Sequence, residues 1–331
     1  MRIVVTGGYG FIGSSLIRLI LKNKNNVILN VDKLTKVSSI NSLNDFKKNK
    51  NYIFKKIDIY NFKKLSFEIK KFKPNIIINA AAESHVDNSI KSPNAFIKSN
   101  IVGTYNLLEI SRNLNNKKLI FVQVSTDEVF GSLRNKEKLF TEKNKFYPNS
   151  PYSASKASAE SLVRAWNKTY ELNTITTNCC NNFGPWQYPE KLIPKIIQSC
   201  IKKTIIPIYG DGSNLREWIY VDDHSKYIIS LMKKGKFGET YNIGSGYEIS
   251  NLLLVKKICS IFSSLTNNKY NYMDLIRFVD DRKAHDFRYA LNFKKAKKII
   301  GNIKFRDFDY NLKKTVSWYI KNYKSNYDCK S

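Results

Sequence analysis

The sequence predicts an α/β protein: a doubly wound parallel sheet followed by a smaller, mixed α/β region. Three observations carry that expectation. Short apolar, β-branched runs alternate with longer segments of helical period through the first half of the 331-residue chain. Glycines crowd directly after the first of those runs, at Gly7, Gly8, Gly10 and Gly13. Near Phe183 the texture changes, and Gly184-Pro185 and Pro189 interrupt the alternation. The length favours two domains. The division expected is residues 1–182, completed by parts of 217–247, against residues 183–331.

Each element follows from local chemistry. Ile3-Val4-Val5 opens a strand at 3–6, Val27-Ile28-Leu29 one at 27–31 and Tyr52-Ile53-Phe54 one at 52–57. Ile76-Ile77-Ile78 and the apolar stretch leading to Val124 suit strands covered on both faces, at 76–79 and 119–125. β-Branched Ile175, Thr176 and Thr177 mark a sixth, at 175–180. Between them, segments 13–23, 62–72, 95–114 and 155–170 read as helices. Right-handed crossovers then place ligands beyond the carboxyl ends of the strands. In the second region a short strand at 205–209 closes on Gly210-Asp211-Gly212, and helices are expected at 192–202, 251–264 and 311–323.

Composition narrows the function classes. Apolar residues at 42% and aromatic ones at 13% suffice for a core and exclude a disordered or fibrous chain. Lys+Arg number 56 against 27 Asp+Glu, a formal net charge of +29, which invites nucleic acid or an anionic membrane. The excess is mostly lysine scattered along the chain, without clustered Arg and aromatics, so neither partner is expected. Cys179, Cys180, Cys200, Cys259 and Cys329 lack the spacing of a zinc site or a disulfide framework. No metal is expected, and a reducing cytoplasm is. Nothing in the sequence has the length of a signal-peptide core or a transmembrane helix.

Gly7, Gly10 and Gly13 stand three apart between a strand and a helix, where the backbone can turn tightly and approach a pyrophosphate seated on the helix amides. Asp32 ends the second strand, where a carboxylate accepts a ribose diol and repels a 2′-phosphate; NAD is favoured over NADP, although Lys33 beside it weakens the repulsion. Tyr152 and Lys156 are four apart on a helix and share a face, so an ammonium can stabilise a phenolate. The glycine triplet with Tyr152-Ser153-Ala154-Ser155-Lys156 resembles the short-chain dehydrogenase/reductase superfamily, in the extended branch that acts on sugar nucleotides and has a Rossmann-type sheet.

Asp127 and Glu128 follow Thr126 at the end of a strand. A dehydrogenase or epimerase needs one base, whereas eliminating water beside a ketone needs a base for the proton and an acid for the departing hydroxyl. An acidic pair at a strand end also reads as a solvated cap for the next turn. The stretch Val124-Ser125-Thr126-Asp127-Glu128-Val129-Phe130-Gly131 resembles the dTDP-glucose 4,6-dehydratases. The likeness then spans almost the whole chain, through Val31-Asp32-Lys33-Leu34-Thr35, Ala80-Ala81-Ala82-Glu83-Ser84-His85, Pro151-Tyr152-Ser153, Asn181-Asn182-Phe183-Gly184-Pro185, Glu190-Lys191-Leu192 and Asp281-Arg282 with His285-Asp286.

The resemblance implies a closed redox cycle. Tyr152, with Lys156, assists oxidation at C4 as hydride moves to NAD; Glu128 takes the C5 proton, Asp127 protonates the leaving C6 hydroxyl, and hydride returns to C6. Thr126 orients the hexose. It implies a cofactor site of Gly7, Gly10, Phe11, Ile12, Gly13, Asp32, Lys33, Leu34, Thr35, Asp58, Ile59, Ala80, Ala81, Ala82, Ser84, Ser99, Tyr152, Lys156 and Asn182. The implied nucleotide-sugar site is Ser84, Thr126, Asn181, Lys191, Leu192, Pro207, Ile208, Tyr209, Arg216, Asn251, Asp281, Arg282, Lys283, Ala284 and His285. Arg216, Arg282 and Lys191 make independent sense as cations for a diphosphate. His85 and His285 lack a third ligand and read as hydrogen-bonding groups, and His224 as a helix-start residue. The chain departs from the family in Phe130 for Tyr, Lys283-Ala284 for Pro-Gly, Tyr9 for Ala and Ser99 for Thr. The resemblance also implies a homodimer built through the helices at 95–114 and 155–170, and a product feeding deoxysugar synthesis, such as rhamnose for surface polysaccharide. The alternatives are a UDP-glucose 4,6-dehydratase, or a sugar-nucleotide epimerase or decarboxylase.

Overall fold

The computed structural model describes the chain except residues 135–136, 282–284, 302–304 and 328–331, and except the side chains of 324–327. Its main sheet has seven parallel strands, in the spatial order Glu239–Ile243, Asn173–Cys179, Ile120–Thr126, Ile76–Asn79, Arg2–Thr6, Val27–Asp32 and Tyr52–Lys56. Val4 lies between Leu29 and Ile77, and Val122 between Ile78 and Ile175, all fully buried apart from a trace at Leu29. Helices cover both faces, which is why these strands carry apolar residues at successive positions. The chain starts in the middle of the sheet and reverses direction between Arg2–Thr6 and Ile76–Asn79. Side-chain bonds mark that switch point: Thr6 Oγ1 donates to Asn79 Oδ1 at 2.7 Å and accepts from the Ala81 amide at 3.3 Å. A crevice therefore opens between the glycine loop and Ala80 to Ala82.

The seventh strand, Glu239–Ile243, was not expected as an element. Its polar residues reach distant partners, the Asn242 side-chain amide donating to Phe140 O at 2.9 Å. The helix expected at 155–170 begins four residues earlier, as Pro151–Tyr170. Ser150 and Ser153 form a reciprocal capping box there, and Pro151 sits at the first helical position. The helix expected at 95–114 is a composite of Asn94–Phe96, a π-helical segment Ile97–Val102 and Gly103–Asn113, with Ile59 packed against Gly103. The first helix runs over Phe11–Ile20, starting directly at the glycine loop.

Past Asn181 a small mixed sheet forms from Asn181–Phe183, Leu215–Tyr220, Glu248–Ser250 and Arg288–Tyr289, and Ile206–Tyr209 pairs in parallel with Ile276–Val279. Helices Leu192–Lys202, Asn251–Thr266 and Phe308–Tyr327 share a core of Ile193, Ile197, Leu254, Ile258, Leu312 and Val316. Among the described residues no helix is long and apolar enough to cross a membrane. Cys179, Cys180, Cys200 and Cys259 are free and buried.

Candidate active site

The glycine loop is tight for a steric reason. Gly7 has φ +67°, and a Cβ there would lie 2.7 Å from Ala81 Cα. A Cβ on Gly13 would overlap the Gly7 carbonyl. Gly10, the N-cap of Phe11–Ile20, supplies no side-chain cap, so the first-turn amides and the positive end of the helix dipole face the crevice. Asp32 stands 7% exposed at the second strand's end. Its carboxylate accepts from the amides of Tyr9 at 3.0 Å and Leu34 at 2.8 Å and from Ser38 Oγ at 3.3 Å. Burial raises its pKa, and those amides resist the rise. A carboxylate can accept about four hydrogen bonds, so these three leave capacity for one ribose hydroxyl. The cradle and this carboxylate fit an NAD pyrophosphate and adenosine ribose.

Lys33 does not weaken that selection as the sequence suggested. Its ammonium lies 2.8 Å from Glu83 and 3.9 Å from Asp58, with Ser99 Oγ at 3.4 Å, so the neighbouring acids consume its charge. The bond to Ser99 also brings a residue of the π-helical segment to the cofactor side.

Thr126 ends its strand and caps the short turn Asp127–Phe130, accepting from the Glu128 amide at 3.3 Å and donating to Asp127 at 3.2 Å. Thr126 also lies beside the Tyr152 phenol, bringing the acid pair and the Tyr152 helix together. Asp127 is 1% exposed, and burial, then the charges of Glu128 and Glu217, push its carboxyl well above the ordinary value. That direction favours the protonated form that an acid requires. Lys156 is equally buried; Nζ donates to Val124 O at 2.7 Å, and burial draws its pKa down to about 8. The lowering of the Tyr152 pKa expected from Lys156 meets a larger opposing effect: burial, then Glu128, push the phenol well above its ordinary value, and the neighbouring Thr126 hydroxyl pulls it back.

The nucleotide-sugar candidates gather from farther apart. Arg216, buried, donates to the carbonyls of Leu215 at 2.7 Å, Phe287 at 3.1 Å and Asp286 at 2.8 Å, and its guanidinium lies 4.6 Å from the Tyr289 ring centre. Lys191 donates to Ser84 O at 2.8 Å, joining two candidates. Asn181 and Asn182 lie beside Trp218 and Ile219 on the neighbouring strand, and Leu192 opens its helix. Pro207, Ile208 and Tyr209 pair with Arg277, Phe278 and Val279, Gly210 bonds Val279, and the Tyr209 ring lies 6.3 Å from that of His285. His285 pairs with Asp281 at 2.6 Å. Asn251 begins its helix with a buried Oδ1 that has no protein partner. Arg282, Lys283 and Ala284 lie outside the described residues.

Three side chains had escaped the sequence. His224 sits in the first turn of Val221–Lys234, as expected for a helix start, yet it is wholly buried; Nδ1 meets Asn182 Oδ1 at 2.8 Å, and burial holds the ring neutral, with a pKa near 3. Tyr289 is bonded to Asp286 over the Arg216 guanidinium. Glu160 lies four residues beyond Lys156, a spacing that continues the Tyr152–Lys156 face and was there to be read. His85 caps the helix Val86–Lys91, its Nδ1 accepting from the Asn88 amide at 3.3 Å. Among the described residues no cluster of three or more metal-ligating side chains occurs.

Comparison with known proteins places these features in context. A family model described as GDP-mannose 4,6 dehydratase matches residues 4–315. A dTDP-glucose 4,6-dehydratase of Neisseria meningitidis serogroup B is 44% identical over 97% of this chain and 94% of its own. A crystal structure of the Streptomyces venezuelae dTDP-glucose 4,6-dehydratase, with NAD and TDP bound, superposes with a TM-score of 0.92 at 36% identity over all of both chains. The Bacillus anthracis enzyme of that name, in complex with NAD, gives 0.87 at 41% identity over 97% of each chain.

Proposed function

This chain belongs to the GDP-mannose 4,6 dehydratase family and, within it, to the dTDP-glucose 4,6-dehydratases; from that premise we propose which of its residues perform the reaction. The activity is an NAD-dependent lyase reaction that converts dTDP-glucose to dTDP-4-keto-6-deoxy-glucose with loss of water. NAD, when bound, holds the hydride taken from C4 until it is returned at C6, and so is unchanged over a turnover. Gly7, Gly10 and Gly13 let the backbone reach its pyrophosphate, and Asp32 accepts from a ribose hydroxyl.

Tyr152 receives the proton of the C4 hydroxyl, with Thr126 beside it and Lys156 supplying positive charge. Glu128 removes the C5 proton, which the new ketone acidifies. Asp127, whose burial favours its neutral form, gives a proton to the C6 hydroxyl as the C6–O bond breaks and water leaves. Glu128 then returns its proton to C5, and exchange with solvent moves the proton gained by Tyr152 to Asp127, so that each group regains its starting state. The observation that carries the reading is the pairing of a wholly buried Asp127, whose burial favours the neutral carboxyl, with adjacent Glu128 at the strand end that meets Tyr152. An epimerase has no use for such a pair. Arg216 and Lys191, with Asn181 and Asn251, hold the nucleotide side.

We propose further that the chain acts as a cytosolic homodimer. Tyr105 and Tyr170, both more than 40% exposed, flank Trp166 in an aromatic ladder across the helices Gly103–Asn113 and Pro151–Tyr170. A second copy would cover that ladder, and the buried, unpaired cysteines suit a reducing compartment. The product would feed deoxysugar synthesis, such as rhamnose for surface polysaccharide. The test is incubation of the purified protein, without added NAD, with dTDP-glucose and separately UDP-glucose, followed by mass spectrometry. Loss of one water from the thymidine substrate is expected; loss mainly from UDP-glucose would move the base preference. Glu128→Gln should form the C4 ketone and stop before water leaves, and full turnover would overturn its role as base.

A further inference from the structure

The reaction just derived leaves one buried carboxyl in the catalytic wall without a task. Glu160 lies one turn beyond Lys156 and two beyond Tyr152 on the same helix face, and is 4% exposed. Its Oε1 accepts from Ser125 Oγ and, at 2.9 Å, from Asn178 Nδ2; its Oε2 is buried without a protein partner. Asn178 Nδ2 also donates to Thr126 O at 3.2 Å, while Lys156 Nζ donates to Val124 O at 2.7 Å. Thus the ammonium is fixed to residue 124, the carboxyl to residue 125, and the amide that holds the carboxyl grips residue 126. Ser125 and Asn178 both donate, a demand that a glutamine oxygen would meet equally well. What only a glutamate adds at this depth is negative charge.

We propose that Glu160 is a positioning residue that keeps Lys156 cationic and braces the strand end carrying Thr126, Asp127 and Glu128. The inference rests on the roles given above to Tyr152 and Lys156. The titratable groups packed around the pair are few. Tyr152 shares its helix; Asp127 and Glu128 come from the neighbouring turn, burial pushing the Asp127 carboxyl upward; and Cys179, from the adjacent strand, is neutral because burial pushes its thiol up to about 12. Burial draws Lys156 down to about 8 and lifts Glu160 to about 7, and each charge opposes the other's shift. Without the Glu160 charge, Lys156 loses its proton at lower pH and ceases to support the Tyr152 phenolate.

The test measures the single-turnover rate of nicotinamide reduction by dTDP-glucose across pH in the purified holoenzyme, with thermal unfolding recorded at the same pH values. Glu160→Gln should move the high-pH limb down by about one unit, giving a rate about tenfold below wild type at pH 8.5 and within about threefold at pH 6.5. Glu160→Asp, which keeps the charge, should restore much of the difference. In unfolding, the folded-state value near 7 lies above the ordinary 4.5. The native state therefore binds the extra proton, so wild-type stability falls as pH rises from about 4.5 to 7, and Glu160→Gln should flatten that fall. If the glutamine variant does not fold, Ser125→Ala, which removes one bond to the charged form, should shift the same limb in the same direction by less. Tyr152→Phe or Lys156→Met retaining the reduction step would overturn the site reading itself. Loss in both, with a Glu160→Gln pH profile and unfolding curve parallel to wild type, would overturn this inference alone.

Discussion

Two buried polar clusters flank the acid pair, and they are built in opposite ways. Tyr152, Lys156 and Glu160 come from one helix at spacings of four and meet consecutive residues of one strand, Val124 to Thr126. Arg216, Asp286 and Tyr289 come from segments 70 residues apart, and the guanidinium is held by main-chain carbonyls and an aromatic face. The first cluster sits on rigid elements, where reacting atoms need fixed geometry. The second depends on the loop that leads into Arg288–Tyr289, where a polar ligand can be exchanged for main-chain bonds. Asn149 links them: Asp286 accepts from Asn149 Nδ2 at 2.6 Å, one residue before the cap of the Tyr152 helix.

If chemistry belongs to the first cluster and binding to the second, substitutions should divide accordingly. Tyr152→Phe should have the largest effect, lowering kcat about 10³-fold while NAD stays bound. A variant near wild-type rate, with mass spectrometry counting product, would break the division. Asp127→Asn comes next. It should slow water loss about 10²-fold or more and leave C4 oxidation intact, so that reduced nicotinamide accumulates at 340 nm. It should also act on stability. The folded state binds the Asp127 proton more tightly than the unfolded chain, because burial and neighbouring acids raise its pKa. Wild-type stability therefore falls as pH rises out of the ordinary carboxyl range, and the Asn variant escapes that fall. Its Tm should match wild type near pH 4 and exceed it by about 2–4 °C at pH 8.

Arg216→Lys probes the other cluster, with a smaller effect. Lysine keeps the charge but loses the planar fork that serves three carbonyls and the Tyr289 face at once. KM for dTDP-glucose should rise about tenfold with kcat within about threefold. A fall in kcat at unchanged KM would place Arg216 with the chemistry instead.

The same difference explains what could be read from the sequence. The glycine loop, Asp32, the acid pair and the Tyr152–Lys156 face were legible because each is a short spacing attached to a strand end. Arg2–Thr6, Val27–Asp32, Ile76–Asn79 and Ile120–Thr126 were legible because burial on both faces leaves apolar runs. Glu239–Ile243 was not, because its stability comes from strand Asn173–Cys179 and from Phe140, and its own residues are mostly polar. Tyr289 and His224 were missed for a related reason. Each gains meaning only from a partner brought close by tertiary folding, Arg216 for the one and Asn182 for the other. Lys33 was misjudged because its charge is consumed by Glu83, 50 residues away.

Phe130 offers the smallest and sharpest test of where the first cluster ends. It follows the acid pair by two residues, and the family's usual tyrosine would add a hydroxyl there. In this chain the ring is 3% exposed, stacked on Phe140 at 5.3 Å and tilted against Phe146 at 5.9 Å. Those two rings answer it with apolar surface and no acceptor. A hydroxyl buried without a partner costs about 1–3 kcal/mol, so Phe130→Tyr should lower Tm by several degrees. Because Asp127 and Thr126 are positioned by bonds that do not pass through Phe130, kcat should change by less than about twofold. A gain of tenfold or more in kcat would mean that the missing hydroxyl belongs to the chemistry, and that the catalytic wall extends past Glu128 into this aromatic cluster.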